Sequence, residues 1–470
     1  MSITSLDSDV LTYLLGFLPP KELFKIETVN KRWQRCVRKL INRRITEFKS
    51  SQYNDESIFS NAFYRKYNSY GEADENGSYF MYIIDDINIA VVLNILSKCQ
   101  NVKYLNLSRT HFISNSNILI QIAKLIPKLE RINFKYSTFE LAHGEWDQFT
   151  QFIGPKLINC NFIRIDTEFN LILSRKLFIN FKNIEKLKFE TFTNEMPQEL
   201  FEHLISCEKL TSLKWNNRYN SDYLNEKQNL IQVFQRLIYL NTNLHVFTKL
   251  NCKMDLLTEL IIHANNWCHY NQMDSIEYPN LIKLSLNYLF SGHLMVLSKV
   301  KFPKLQFLSI EFVNKYFEDE HFEEKIIFYQ LFENVNEINF KNYYFTEKIY
   351  QFPNLTKLTF NCSYIDIIKQ LEICLNRKSL HQIVIDKIKF SNYKKIDLLI
   401  NIFDKIISLE VERENLNVKI LISFKITKFN NEEYETRLNV VNDYKMKFQY
   451  NNWNVLLNDD CDYMMLYLKK

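Results

Sequence analysis

A six-residue apolar pattern recurs along this chain and reads LTELII at residues 257–262, LIKLSL at residues 281–286 and LQFLSI at residues 305–310. In each copy an apolar residue precedes two variable residues, a second apolar residue, one variable residue and a third apolar residue. Alternation of this kind is typical of a strand with one buried face. Because the copies start at a constant interval, they indicate one structural unit that repeats along the chain.

The pattern continues through most of the sequence, which contains about twelve copies. Their first apolar residues are Val102, Leu129, Leu157, Ile184, Leu210, Leu257, Leu281, Leu305, Val335, Leu355, Leu380 and Ile406. A longer gap follows Leu210, where we expect a degenerate copy near Leu244. One copy alone would be weak evidence, since any half-buried strand alternates in this way, but a repeated interval is specific.

These copies predict a repeat array of the α/β class. Each copy is expected to form a short parallel strand, and each intervening segment a short helix or an irregular return. Stacking buries what no single unit could bury, which gives a curved solenoid with a parallel sheet on its concave face. We expect the solenoid at residues 87–412, after an irregular connection at residues 50–86.

The copies resemble leucine-rich repeats. The Asn or Cys that usually follows the third apolar residue of such a repeat is mostly absent, as at Phe192 and Leu289, so the repeats are degenerate. Within each strand the residues that alternate with the apolar ones are expected to point outward. The outward residues are Tyr104, Asn106, Arg131, Asn133, Lys135, Lys186, Lys188, Lys214, Asn216, Lys283, Asn287, Glu311, Asn339, Lys341, Lys357 and Asn361.

This outward set is rich in Lys and Asn and poor in acids, and we interpret it as the candidate binding face. Charge-assisted hydrogen bonds from it would suit an acidic or phosphorylated protein target. The alternative is a solvated sheet surface in a chain that uses Lys and Asn heavily. The sequence favours neither.

Residues 1–49 carry helical apolar spacing in three successive segments. Pro19 and Pro20 separate the first two segments, and Asn30 is placed to cap the third. The apolar residues of the three segments, with their flanks, are Leu6, Val10, Leu11, Leu14, Leu15, Leu18, Pro20, Leu23, Ile26, Val29 and Trp33. A unit this small is marginal as an independent fold, so it is expected to dock on another protein.

This spacing, with Lys31, Arg32 and Trp33 in the third segment, resembles the F-box. Cys99 and Cys207, each placed before a copy, are similar to the Cys-x-x-Leu opening of repeats in F-box proteins. The resemblance implies a three-helix F-box whose apolar surface binds a Skp-type adaptor and, through it, a cullin. Asp7 and Asn30 depart from the family pattern, which has Pro and often Cys there. An acidic residue at a helix N-terminus is nevertheless favourable.

The third segment is also strongly basic, with cations from Lys31 to Arg44 opposite its apolar stripe. A nucleic-acid-binding helix has this appearance. A helix whose apolar face is committed to packing also needs a solvated face, which is the interpretation we favour. The net charge of +5 is small for 470 residues and gives no general case for nucleic acid.

The tail, residues 413–470, is expected to be a β-rich cap on the last repeat. Strand-like alternation occurs at residues 418–426, 438–441, 445–450 and 464–468. A terminal unit otherwise exposes its core, so a cap is needed. A small partner-binding element is the alternative.

Composition and motif content exclude several classes of protein. The apolar runs are too short to span a bilayer, and the first residues lack a signal-peptide pattern, so we expect the cytosol or nucleus. The 9 cysteines are odd in number and form no C-x-x-C pair, which predicts reduced, mostly buried thiols. The chain has 6 glycines and no phosphate-cradling motif. We therefore expect no cofactor and no enzyme.

Two clusters of polar side chains do not fit a chemical site. His263, Cys268 and His269 match no standard zinc spacing. The acidic run at residues 318–324 is interpreted as a solvated loop.

The sequence thus predicts a substrate-recognition subunit of an SCF-type ubiquitin ligase, in which other subunits perform the chemistry. A repeat scaffold that binds a partner without a ligase role is the alternative.

Overall fold

The computed structural model of the protein is a mixed α/β structure. It describes residues 8–15, 31–44, 47–49, 64–67, 79–85, 89–108, 110–113, 117–141, 144–163, 180–191, 198–217, 227–264, 273–289, 293–312, 334–341, 352–361, 380–388, 400–404, 406–408, 419–425, 439, 442–449, 454–460 and 463–469. The chain divides into two compact units, Met1–Leu237 (unit 1) and Ile238–Lys470 (unit 2).

Unit 1 alternates helices and strands. In chain order its elements are α1 (Ser8–Leu15), α2 (Lys31–Arg44), β1 (Glu47–Lys49), β2 (Tyr64–Tyr67), β3 (Tyr79–Asp85), α3 (Ile89–Ser97), β4 (Tyr104–Asn106), β5 (Thr110–Ile113), α4 (Ile118–Leu125), β6 (Arg131–Asn133), β7 (Thr138–Glu140), α5 (Glu145–Ile153), β8 (Asn159–Phe162), β9 (Lys186–Thr191), α6 (Gln198–Ser206), β10 (Ser212–Asn217) and α7 (Lys227–Gln235).

Two sheets organise unit 1. The larger has the parallel order β1-β4-β6-β8-β9-β10. The smaller has the order β2-β3-β5-β7, in which only the β2–β3 pair is antiparallel. Strands β2 and β3 lie in residues 50–86, which the sequence predicted to be irregular. Strand β3 also pairs with β5, a contact outside that stretch that no local pattern within residues 50–86 could indicate.

Unit 2 is richer in strands. Its elements are β11 (Tyr239–Asn243), α8 (Leu244–Leu250), β12 (Glu259–His263), β13 (Lys283–Leu289), α9 (His293–Val296), β14 (Phe307–Phe312), β15 (Glu337–Lys341), β16 (Lys357–Asn361), β17 (Gln382–Ile388), β18 (Lys419–Lys425), β19 (Asn454–Asp460) and β20 (Tyr463–Lys469). Strands β11 to β18 pair in parallel, each with the next. Strands β20 and β19 then continue this sheet antiparallel.

The predicted copies from Val102 to Leu380 each contribute a strand to one of these parallel sheets. The first three residues of the copy at Ile406, residues 406–408, are helical, and its last three lie outside the described residues. Ile402, Phe403 and Ile406 are all buried, and that spacing is the helical one. Strand β17 pairs in parallel with β18, which lies within the predicted cap.

The gap after Leu210 does hold a degenerate copy, but earlier than predicted. Leu237, Leu240 and Thr242 occupy its three inward positions around β11, and all are fully buried. The polar Thr242 at the third position hid the pattern. Leu244, where the copy was expected, instead begins helix α8.

The tail is only partly strand-like. Strand β18 lies within the alternation predicted at residues 418–426, β20 spans that at residues 464–468, and β19 falls where no strand was predicted. Residues 442–449 are helical, whereas a strand was predicted at residues 445–450. Tyr444 and Phe448, one helical turn apart, pack on Phe403 with ring centroids 5.1 and 5.7 Å away. The Tyr444 hydroxyl donates to Asp404 Oδ1 at 2.6 Å. Burial, with this carboxylate, raises the pKa of Tyr444 to about 12.

The cysteines in the described part of the chain are reduced and buried, as predicted: Cys36, Cys99, Cys160, Cys207 and Cys252. Burial raises the pKa of the Cys207 thiol to about 12 and that of Cys252 to about 11. Since the thiolate is the reactive form, we expect Cys207 and Cys252 to resist alkylation in the native protein and to react fully in denaturant. Mass-spectrometric mapping of iodoacetamide adducts checks this, and rapid native labelling of Cys207 would contradict it.

Within the described residues, none of the helices has the length and apolar character needed to cross a membrane.

Candidate functional site

The N-terminal helices α1 and α2 pack against each other. Leu11 and Leu15, one turn apart on α1, are buried, and so are Val37 and Leu40 on α2. Leu14 lies on a different face of α1 and is 47% exposed. Trp33, at the start of α2, is half-buried. The predicted adaptor-binding set therefore divides into residues that hold the helix pair together and residues that a partner can reach.

The remaining residues of that predicted set fall outside the described side chains. Val10 lies on α1, but its side chain is outside what the structure describes. Six further predicted residues lie outside the described residues altogether: Leu6, Leu18, Pro20, Leu23, Ile26 and Val29. The predicted second helix of the three falls there too.

The second candidate surface is formed by the outward side chains of the parallel strands, which we call the strand face. Inward and outward residues alternate along these strands in unit 1, so that Ile132 on β6 is buried whereas its neighbour Arg131 is exposed. The register places Arg131 beside Tyr104 and beside Asn159 on the two neighbouring strands. The Arg131 guanidinium lies 5.2 Å from the centre of the Tyr104 ring.

Asparagines stack in register on this face. Asn133 Nδ2 donates to Asn106 Oδ1 at 2.9 Å. The side-chain oxygens of Asn106, Asn133 and Asn161 also each accept the backbone N–H two residues further on, at 3.1, 3.0 and 3.3 Å. These asparagines close the turns that end β4, β6 and β8. The side-chain oxygens of these asparagines thus have a structural role, and the amide hydrogens that make no bond within the strands are available to a ligand.

Lysines dominate the face at β9 and β10. Lys186 and Lys188 are exposed on β9, and Lys214 on β10 is half-buried directly beside Lys188. Neither Lys186 nor Lys188 forms an ion pair with any residue that the structure describes. Glu190 follows on the same side of β9 but is only 9% exposed. Lys135, just after β6, places its Nζ 4.4 Å from the centre of the Tyr136 ring.

The strand face of unit 2 has a different character. The ring of His263 contacts Asn241 Oδ1 through Nε2 at 3.0 Å and Asn287 Nδ2 through Nδ1 at 3.5 Å. Asn241 Nδ2 in turn donates to the Tyr239 hydroxyl at 3.4 Å. The exposed Tyr288 stacks on His263 with centroids 6.1 Å apart. This is a continuous row of polar groups across β11, β12 and β13.

Lysines on this second face are matched by acids. Lys357 Nζ lies 3.0 Å from Glu337 Oε2, and Lys341 Nζ lies 3.9 Å from Glu311 Oε2. Lys283 is exposed and neighbours Glu259 in register. Asn287 and Asn339 are half-buried, while the side chains of Asn216 and Asn361 are not described. The predicted outward residues therefore form a lysine-rich surface in unit 1 and a surface in unit 2 where acids match the lysines.

Sequence reasoning missed several residues of the strand face. Asn159, Asn161, Ser212, Tyr239 and Asn241 all occupy outward positions. Asn159, Asn161 and Ser212 could have been found, because they occupy the third or fifth positions of copies that the sequence revealed. Tyr239 and Asn241 belong to the degenerate copy around β11, which the sequence did not reveal. Across all the described residues, no group of three or more His, Cys, Asp or Glu side chains is arranged to hold a metal ion. Cys268 and His269 lie in residues 265–272, which are not described.

Comparison with known domain families bears on the helix pair. Residues 3–45 match the F-box domain. This F-box segment contains α1 and α2, so Leu11, Leu14, Leu15 and Trp33 all belong to it. The match covers the N-terminal segment alone and leaves the strands unassigned.

Similarity to solved structures is weak. A chain in the crystal structure of the Rad7 and Elc1 complex from yeast is similar over 65% of this chain and 80% of that one, with a TM-score of 0.37 and 14% identity. No curated protein matches this sequence.

Proposed function

We propose that this protein is a substrate-recognition adaptor of an SCF-type ubiquitin ligase. In this proposal the F-box segment binds a Skp-type adaptor, which joins the chain to a cullin, and the strand face binds a target protein that is acidic or phosphorylated. The chain performs no chemistry itself and acts by holding its target near the ubiquitin donor. We place it in the cytosol or nucleus, where that machinery works.

The observation that carries the proposal is the F-box match at residues 3–45. The exposed Leu14 gives it a physical basis. A leucine that is 47% exposed on a helix whose other described leucines are buried is available to fill an apolar pocket of a partner. We further infer that the repeated strands form a leucine-rich-repeat solenoid, since parallel neighbours follow one another at a near-constant interval in the sequence.

A charge placed at Leu14 tests the adaptor contact. We expect Leu14→Glu to weaken capture of a purified Skp-type adaptor by the full chain about tenfold or more, because burying that leucine supplies roughly 1.5–3 kcal/mol. Biolayer interferometry with immobilised adaptor measures it. Leu11→Ala is unsuitable, since Leu11 is 2% exposed and its loss would disturb the helix pair itself.

The matched control is Leu256→Glu, the same substitution at a leucine in unit 2 that is 55% exposed. It should leave adaptor binding unchanged. If the wild-type chain captured no Skp-type adaptor, the proposal would be wrong and a repeat scaffold without a ligase role would take its place. Equal weakening by both variants would mean that Leu14 makes no specific contact.

A further inference from the structure

Strand β19 ends the large sheet in unit 2. It pairs with β20 over all seven of its residues, Asn454–Asp460, in an unbroken register. None of the other strands that the structure describes pairs with it. One row of backbone N–H and C=O groups along β19 therefore points away from the sheet, and such a row is a template for a further strand.

Three end strands in unit 1 are protected against pairing of this kind, whereas β19 is not. Strands β1 and β7 have three residues each, and a short edge offers few backbone groups. Strand β2 has four residues and includes Arg65 and Lys66, and charged side chains at an edge disfavour association. Strand β19 is longer and contains no Pro, Gly, Lys or Arg. Among these four end strands it is therefore the one best suited to pairing with another chain.

The positions of the acids in β19 select the direction of pairing with a second copy of this chain. Asp459 and Asp460 lie together at one end of the strand. In a parallel pair in register, each residue lies beside its own counterpart, so the carboxylates of both copies meet at one end and repel. In an antiparallel pair that overlaps all seven residues, Leu457 lies opposite Leu457 of the second copy. Asp460 then lies opposite Asn454 and Asp459 opposite Val455, so no two acids face each other.

A buried face of the sheet also continues to this edge. Ile420 on β18 is fully buried and is aligned with Leu468 on β20. Leu468 is aligned in turn with Val455 on β19. Leu457 follows Val455 by two residues and so occupies the same face of the strand. Because Leu457 meets its own counterpart in the antiparallel pair, the apolar face continues across the contact.

We propose that two copies of this chain associate through β19, each β19 pairing antiparallel with the other. Pairing over seven residues forms roughly six to eight backbone hydrogen bonds. The contact uses the same surface on both copies, so it closes at a dimer. The edge is only about 24 Å long, so we expect a dissociation constant in the micromolar range. This association is independent of the proposed adaptor contact at Leu14, and either can fail without the other.

Charge substitutions at two positions of β19 test the inference. Leu456 of one copy lies opposite Asn458 of the other, and both positions alternate with Val455 and Leu457. The double variant Leu456→Lys, Asn458→Lys and the double variant Leu456→Asp, Asn458→Asp each place like charges opposite one another. Each alone should raise the dimer dissociation constant about tenfold or more, and an equimolar mixture should restore the dimer because lysine then faces aspartate. Sedimentation velocity of the full chain from about 1 to 100 µM measures both effects.

The control variant is Leu256→Lys, Asn354→Lys, which adds the same charge at exposed positions of unit 2 outside β19. It should dimerise like the wild type. A wild-type chain that stays monomeric at about 100 µM would overturn the inference and leave the edge to a strand of another protein. Equal weakening in the control would overturn it too, and so would a mixture that stays monomeric although each variant keeps the wild-type melting temperature.

Hydrogen exchange of the wild-type chain is a second measurement that needs no substitution. The amides of residues 454–460 that point away from β20 should exchange more slowly at about 100 µM than at about 1 µM, whereas the amides of β1 should not change. Equal protection of residues 454–460 at both concentrations would contradict the pairing of β19.

Discussion

Replacing Phe134 with alanine is expected to lower the free energy of unfolding of unit 1 by about 4 kcal/mol, since removal of a buried phenyl ring costs roughly 3–5 kcal/mol. Phe134 is the third apolar residue of its copy and is fully buried. Its ring centroid lies 5.1 Å from Phe139, 6.0 Å from Phe112 and 6.0 Å from Phe162. Trp146 and Phe149 on α5 lie 6.3 and 6.2 Å away.

The cost should be large because these contacts come from several elements. Strands β5, β7 and β8 and helix α5 all supply a ring, so a cavity at Phe134 cannot be closed by moving one side chain. Phe134→Leu keeps most of the volume and should cost less than about 2 kcal/mol. Hydrogen exchange over residues 110–163 reports the change locally. Equal protection in the wild type and Phe134→Ala would mean that the cluster does not hold unit 1 together.

Replacing Glu145 with alanine is expected to cost about 2–3 kcal/mol, because it leaves a buried backbone donor unsatisfied. Glu145 is the first residue of α5 and is fully buried. Its Oε1 accepts the backbone N–H of Leu119, in the first turn of α4, at 2.7 Å. Asn117, the cap residue of α4, has a left-handed backbone and makes no side-chain cap bond. The carboxylate of a neighbouring helix therefore caps α4.

Glu145→Gln separates the hydrogen bond from the charge. The glutamine oxygen can still accept the Leu119 N–H, but the favourable charge at the helix N-terminus is lost, so we expect a cost of about 1 kcal/mol. Exchange of the amides in residues 118–125 measures both variants. If alanine and glutamine cost the same, the contribution of Glu145 would be its charge, and neither the cap nor its packing.

The repeat register was open to prediction because it depends on a local rule. Apolar residues at the first, fourth and sixth positions of each copy face the core, so the repeat strands from β4 to β17 other than β11 follow from spacing alone. The rule failed where polarity or period changed. Thr242 occupies an inward position without being apolar, and the buried residues Ile402, Phe403 and Ile406 follow the helical period.

The sequence by itself determined two features of this protein. One is an F-box-like N-terminus with Leu14 and Trp33, and the other is a series of strands with polar outward residues. Only the tertiary structure decided which of those residues act together. Leu11 and Leu14 look equivalent in the sequence, yet one is buried and the other is exposed. Lys188 and Lys214, which are distant in the sequence, lie side by side because the parallel register of β9 and β10 aligns them. Such relations depend on contacts between distant segments, which local spacing does not encode.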